Sequence, residues 1–160
     1  MLKVMLKAPY ILLGEDSEAD TYFARRCFAA AGIKATLRRC SNGAELCDYL
    51  RAHRKQPPVA VILDLKMPFM DGFETLKWIR QHRTFKEIPV VILSSSGLDE
   101  DRARAEKLGC TEYLEKPTSL AKYEVLMKDL AHRMVTNAAI AEITASQLSK
   151  LTRGKTSHSR

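Results

Sequence analysis

Apolar positions along the chain fall into two rhythms. Short apolar segments recur at 9–14, 34–39, 59–63, 89–94 and 111–114, and the clearest, "VAVIL" and "IPVVIL", are continuous runs of β-branched and aliphatic residues. Such runs predict strands covered on both faces, the environment of a parallel sheet. Between them lie longer stretches with helical spacing, at 17–31, 42–54, 72–82, 99–108 and 119–133. In the first, Ala19, Tyr22, Phe23, Arg26 and Cys27 follow the i, i+3, i+4 interval, and Gly32 stands where the helix should end. Five strands alternating with five helices predict a doubly wound α/β domain on a five-stranded parallel sheet.

After Arg133 the strand signals stop. "MVTNAAIAEITASQLSKL" carries Val135, Ala138, Ala139, Ile143, Leu148 and Leu151 at near-helical spacings, but Ser146 and Gln147 break the stripe. Such a segment folds poorly alone, so it is expected to gain helix by docking on helix five or on a second copy in a homodimer. "TRGKTSHSR" reads as disordered. The expected organisation is one domain at 1–133 and a basic C-terminal extension at 134–160, partly helical and then disordered.

Charge and composition narrow the function classes. The net charge is +7, of which residues 133–160 carry +4 from five basic residues against Glu142, and residues 1–132 carry the remaining +3. A basic balance invites a nucleic-acid reading. The chain has no helix-turn-helix pattern, no RNA-binding aromatic motif and no zinc-finger spacing, and nucleic acid is not an expected partner. Cys27, Cys40, Cys47 and Cys110 form no CxxC pair and read as buried reduced thiols. Lys3 and Lys7 interrupt the N-terminal apolar stretch, which argues against a signal peptide, and the apolar runs are too short to span a bilayer. A cytoplasmic protein without a membrane partner is expected.

The chemistry gathers at the predicted strand ends. "ILLGEDSEAD" sets four acids into six residues, with Glu15 and Asp16 side by side where strand one should finish. "VILDLKMP" puts Asp64 directly after strand three, "VVILSSSG" puts Ser94 at the end of strand four, and "YLEKPTS" puts Lys116 just after strand five. In open α/β sheets ligands bind beyond the carboxyl ends of the strands, so these residues share one edge. Three crowded carboxylates repel one another unless a cation joins them. An all-oxygen donor set favours Mg²⁺ over zinc. With the charge neutralised, Asp64 can act as a carboxylate nucleophile toward phosphorus, while Lys116 and the Ser94 hydroxyl stabilise the phosphoryl oxygens.

Glu15–Asp16, "DLKMPFMDG" around Asp64, Ser94 in "ILSSS", and "YLEKP" with Lys116 and Pro117 together resemble the receiver domain of two-component response regulators, over about residues 9–133. The resemblance implies the flavodoxin-like (βα)5 fold and a phosphoacceptor role for Asp64. It implies Mg²⁺ held by Asp16, Asp64, Glu15 partly through water, and the backbone carbonyl of Lys66. Ser94 and Lys116 would bind the phosphoryl group, Tyr113 would be the aromatic that turns inward on activation, and the Lys116–Pro117 bond would be cis. The implied function is a single-domain response regulator that takes a phosphoryl group from a sensor histidine kinase or a histidine phosphotransfer protein and switches partner binding. No enzyme activity beyond self-catalysed phosphotransfer and autodephosphorylation is expected. The "EDSEAD" opening resembles stand-alone receivers, including those that partner bacterial phytochromes. Gly14, where a branched residue is common, suggests close packing beside the site.

Two other readings compete. A phosphatase of the haloacid dehalogenase type also uses an aspartate nucleophile and Mg²⁺, but needs a second Asp two residues on, where this chain has Lys66. A DNA-binding regulator would have to work through the basic tail, whose 28 residues at 133–160 are few for a packed helix-turn-helix domain.

Overall fold

The computed structural model describes residues 8–154, with side chains as far as 149. The chain alternates strand and helix throughout: β1 (Tyr10–Gly14), α1 (Glu18–Ala30), β2 (Thr36–Cys40), α2 (Gly43–Ala52), β3 (Ala60–Leu63), α3 (Gly72–Gln81), β4 (Val90–Ser94), α4 (Asp99–Lys107), β5 (Glu112–Glu115) and α5 (Leu120–Gly154). All strand pairs are parallel and the sheet order is β2-β1-β3-β4-β5. This is the doubly wound parallel sheet that the apolar rhythm predicts, in the flavodoxin-like order that the family resemblance implies. The order reverses between β1 and β3, which opens a crevice at their carboxyl ends.

Alternation along the buried strands divides the core between two faces. Leu12, Val61, Leu63, Val90 and Ile92 pack with Leu46, Leu50, Leu76, Ile79 and Phe85, the side chains of α2, α3 and the segment after α3. Ile11, Leu13, Ala60, Ile62, Val91 and Leu93 pack with Ala24 and Phe28 of α1 and Met127, Leu130 and Ala131 of α5. Burying an aliphatic side chain fully contributes about 1.5–3 kcal/mol. Polar substitution in β1, β3 or β4 would therefore cost both layers their common wall.

All five strands begin later than the sequence expectation, β1, β3, β4 and β5 by one residue and β2 by two. β2 begins at Thr36 rather than 34 and ends at Cys40, because its register is set by β1, with Tyr10 opposite Thr36 and Gly14 opposite Cys40. β5 begins one residue late because the Thr111 hydroxyl accepts from the Val90 amide at 3.0 Å, closing the entry to the strand. The largest difference is α5. The helix passes Arg133 without a break and continues to Gly154, so 134–151 extends helix five instead of folding back on it. Met134 is buried, Val135 and Ala138 are half-buried, and every described side chain from 141 to 149 is exposed. Of the "TRGKTSHSR" segment, 152–154 are helical and 155–160 lie outside the described residues. The described helices include none long and apolar enough to cross a membrane.

Candidate functional site

The Asp64 amide donates to the Gly14 carbonyl at 2.9 Å, a ladder bond that sets the ends of β1 and β3 side by side. Glu15 and Asp16 follow at once from β1, so the three carboxylates converge, with oxygens all within 4.8 Å of one another. Glycines at two positions allow close packing around the site. A Cβ on Gly14 would meet Leu63 Cδ1 at 2.7 Å, and one on Gly72, at the start of α3, would meet the Asp64 carbonyl oxygen at 2.3 Å. Gly14 thus serves the close packing expected of it.

The loops at this edge are held by caps. Ser17 Oγ accepts from the Asp20 amide at 3.2 Å and caps α1, and the Ser17 amide donates to Glu15 Oε1 at 3.0 Å. Glu15 and Asp16 are therefore pinned between a strand end and a capped helix. Past Asp64, Asp71 and Glu74 form a reciprocal capping box at the start of α3. Glu15 and Asp64 are buried, whereas Asp16 is exposed.

Lys116 enters from the opposite side. Its amide donates to the Ser94 carbonyl at 2.7 Å, fixing the residue beside the end of β4. Its Nζ donates to Glu15 Oε2 and Asp20 Oδ2, each at 2.7 Å, and to Asp64 Oδ2 at 3.3 Å. Burial alone would lower the ammonium's pKa, but the bonds to Asp20 and Glu15 and the charge of Asp64 outweigh it and push it above the usual range. Lys116 is therefore a charged donor at any physiological pH. Burial pushes the Glu15 carboxyl up, with Asp64 adding to the rise and Lys116 opposing it.

Ser94 is fully buried at the end of β4, its Oγ accepting from the Ser96 amide at 3.2 Å. Lys66 is exposed, with its amide 3.4 Å from Asp64 Oδ1. Tyr113 is already turned inward: the ring is buried, its hydroxyl donates to the Ser96 carbonyl at 2.8 Å, and Arg102 lies 4.7 Å from its centroid. The inward position is thus supported by local partners. The Ser96 hydroxyl donates to Asp101 Oδ2 at 2.5 Å, toward α4. The Lys116–Pro117 bond is trans, against the cis form implied by the resemblance, since the described residues contain no cis peptide. Trans is the intrinsically favoured isomer, and the Lys116 amide bond to Ser94 already presents the lysine.

Two site residues were not singled out from the sequence. Asp20 was one acid among four in "EDSEAD", and only its place in the first turn of α1, one helical step past the cap, brings it to Lys116. Arg39, at the end of β2, donates from Nε to the Glu15 carbonyl at 2.9 Å and from Nη2 to the Asp16 carbonyl at 2.7 Å. The β1–β2 register puts it there, and no local motif announces it.

Comparison with known proteins agrees with the fold. The chain is 37% identical over 112 residues to FilR2 of Methanothrix harundinacea, named a probable methanogenesis regulatory protein, covering 68% of this chain and 72% of that protein. Among solved structures it resembles the phosphorylated cyanobacterial phytochrome response regulator RcpA, with a TM-score of 0.76 at 28% identity, covering 81% of this chain and 96% of that one. It also resembles the Mn²⁺-bound form of the response regulator Rcp1, with a TM-score of 0.71 at 28% identity, covering 76% and 91%. Residues 11–128 match the model of the response regulator receiver domain, and the chain belongs to that family.

Proposed function

We propose that this chain is a phosphorylation-driven switch that accepts a phosphoryl group on Asp64, from a sensor histidine kinase or a histidine phosphotransfer protein, and changes its partner binding as a result. The observation that carries the reading is the Lys116 ammonium, held 3.3 Å from Asp64 Oδ2 within a three-carboxylate cluster. The similarity to RcpA favours a phytochrome-type kinase upstream.

The donors are all oxygen, which suits Mg²⁺, and the Mn²⁺-bound relative supports a divalent cation. Asp16, Asp64 and Glu15, with the Lys66 carbonyl, would hold it, and the bound ion would supply charge neutralisation for an incoming phosphoryl group. An Asp64 carboxylate oxygen attacks phosphorus, the bond from phosphorus to the donor's imidazole nitrogen breaks, and the nitrogen keeps the electron pair. Lys116 offers N–H donors to the phosphoryl oxygens, and the Ser94 hydroxyl, buried at the end of β4, turns toward them. The acyl phosphate carries about −1.5 to −2 at neutral pH where the carboxylate carried about −1, and this added charge then acts on the Ser94–Ser96 loop that carries the Tyr113 hydrogen bond. This couples the site to α4, β5 and α5.

Acetyl phosphate with Mg²⁺ should add one labile phosphoryl group, read as a single mass increment on the intact protein. Asp64→Asn should abolish it. Equal labelling of that variant would refute the assignment.

A further inference from the structure

The Lys116 ammonium has three N–H donors, and two of its three short contacts point away from Asp64. Glu15 belongs to the carboxylate cluster and would have the proposed cation as a second partner. Asp20 does not belong to it. The Asp20 carboxylate is partly solvated, with its side chain 38% exposed against 4% for Glu15, and beside it lies a cavity of about 150 Å³ lined by Asp20, Phe23, Lys116, Pro117 and Tyr123. It therefore has room to release the ammonium into water-accessible space.

We propose that Asp20 is a positioning residue that acts through Lys116, holding one ammonium donor back from Asp64 and so lowering the affinity of the site for the phosphoryl group. This rests on the reading of Asp64 as phosphoacceptor. Before phosphorylation the lysine stands 2.7 Å from Asp20 and 3.3 Å from Asp64, nearer its restraint than its target. A phosphoryl group on Asp64 must draw that donor across, and Asp20 competes for it at every moment of the phosphorylated state. The cap of α1 uses the Asp20 backbone amide, so neutralising the side chain leaves the cap in place.

The test is the binding of beryllofluoride, an acyl-phosphate mimic, in Mg²⁺, to the wild-type chain and to Asp20→Asn, Asp20→Glu and Asp64→Asn, together with the Lys116 Nζ resonance by NMR. Asp20→Asn should shift that resonance in the metal-free protein and bind the mimic about three- to tenfold more tightly, the scale of one charge-assisted hydrogen bond regained in part. Asp20→Glu should return the affinity toward wild type. The gain should persist at about 0.5 M salt, where long-range repulsion is screened. A gain that disappears in salt, an unmoved Lys116 resonance, or unchanged or weaker binding by Asp20→Asn overturns the proposal while leaving Asp64 in its role. Mimic binding that is absent from wild type, or retained by Asp64→Asn, overturns the phosphoacceptor reading and this inference with it.

Discussion

Replacing Arg39 with lysine separates charge from geometry at the metal-binding loop. The guanidinium donates two bonds in a fixed fork, at 2.9 Å to the Glu15 carbonyl and 2.7 Å to the Asp16 carbonyl, and an ammonium can keep the charge and one of them. A hydrogen bond to a charged group contributes about 1.5–3 kcal/mol net. The Arg39 side chain is only 21% exposed, so water compensates incompletely, and about 1–2 kcal/mol is the expected loss. In the metal-free protein part of this appears as lower stability. Where the cation itself orders the loop, the remainder moves into the binding step, and each 1.4 kcal/mol is about tenfold in affinity. Arg39→Lys should therefore bind Mg²⁺ about three- to tenfold more weakly, measured by calorimetric titration, with a lower urea midpoint. Arg39→Met is a poorer probe, because removing a positive charge beside the carboxylates would itself favour the cation. Wild-type Mg²⁺ affinity in Arg39→Lys, with or without a stability loss, would refute the idea that the clamp presets the ligands.

Four further outcomes follow from the same contacts. Lys66 is exposed beside Asp64, and its long cationic arm can shield the phosphoryl group from water, so Lys66→Ala should lose phosphate faster in a single-turnover decay; an equal or slower decay would exclude shielding. Phe69 has φ 64° and is 93% exposed, so Phe69→Gly, by relieving left-handed strain at little burial cost, should raise stability by about 0.5–1 kcal/mol in urea melts. Burial pushes the Cys40 thiol from 9.0 up to about 12 and the Cys47 thiol up to about 11, so their contribution to stability is complete below pH 9 and declines as pH rises toward those values, measurable as falling melting temperature under reducing conditions. Truncation after Arg133 should remove helix signal in proportion to the residues lost and, if α5 pairs two copies through Ile140 and Ile143, which are 57% and 58% exposed, should also shift any dimer to monomer in sizing across concentration.

The fold was legible because its three central strands, β1, β3 and β4, are buried on both faces. "VAVIL" and "PVVIL" admit no amphipathic alternative, and their spacing fixes the helices between them. Helix five was harder for a physical reason. Its inner half has a clear stripe of Met127, Leu130 and Met134, whereas the near-helical spacing from Val135 onward is broken at Ser146 and Gln147 on a largely exposed segment. The sequence therefore marks a partial helix, and only the backbone shows that it continues α5 without a break. Within the site, Glu15, Asp16, Asp64, Ser94 and Lys116 were visible because each ends a strand or follows one at once. Asp20 and Arg39 act across elements, one from a helix turn and one from the neighbouring strand, and such contacts depend on register, which a single sequence does not display.

The placement of charge explains why such a site can work as a switch. Glu15, Asp16, Asp20 and Asp64 bring four carboxylates to one edge of the sheet, and among the described residues Lys116 is the one cation hydrogen-bonded to them. Arg39 spends its donors on backbone carbonyls, not on those carboxylates. Left alone, burial first and repulsion from Asp64 after it raise the cost of keeping Glu15 ionised. On the proposed reading a divalent cation relieves that repulsion, and only then does Asp64 face an incoming phosphoryl group without an opposing field. The phosphoryl group restores the imbalance, and the lysine is the mobile charge able to answer it. A short rearrangement of Lys116 from Asp20 toward Asp64 would thus occur at one end of β5, while Tyr113, three residues earlier on the same strand, holds the Ser96 carbonyl at the other side of the β4–α4 loop. On the proposed reading, the strand and that hydrogen bond would carry a change of charge at Asp64 to the α4–β5 surface.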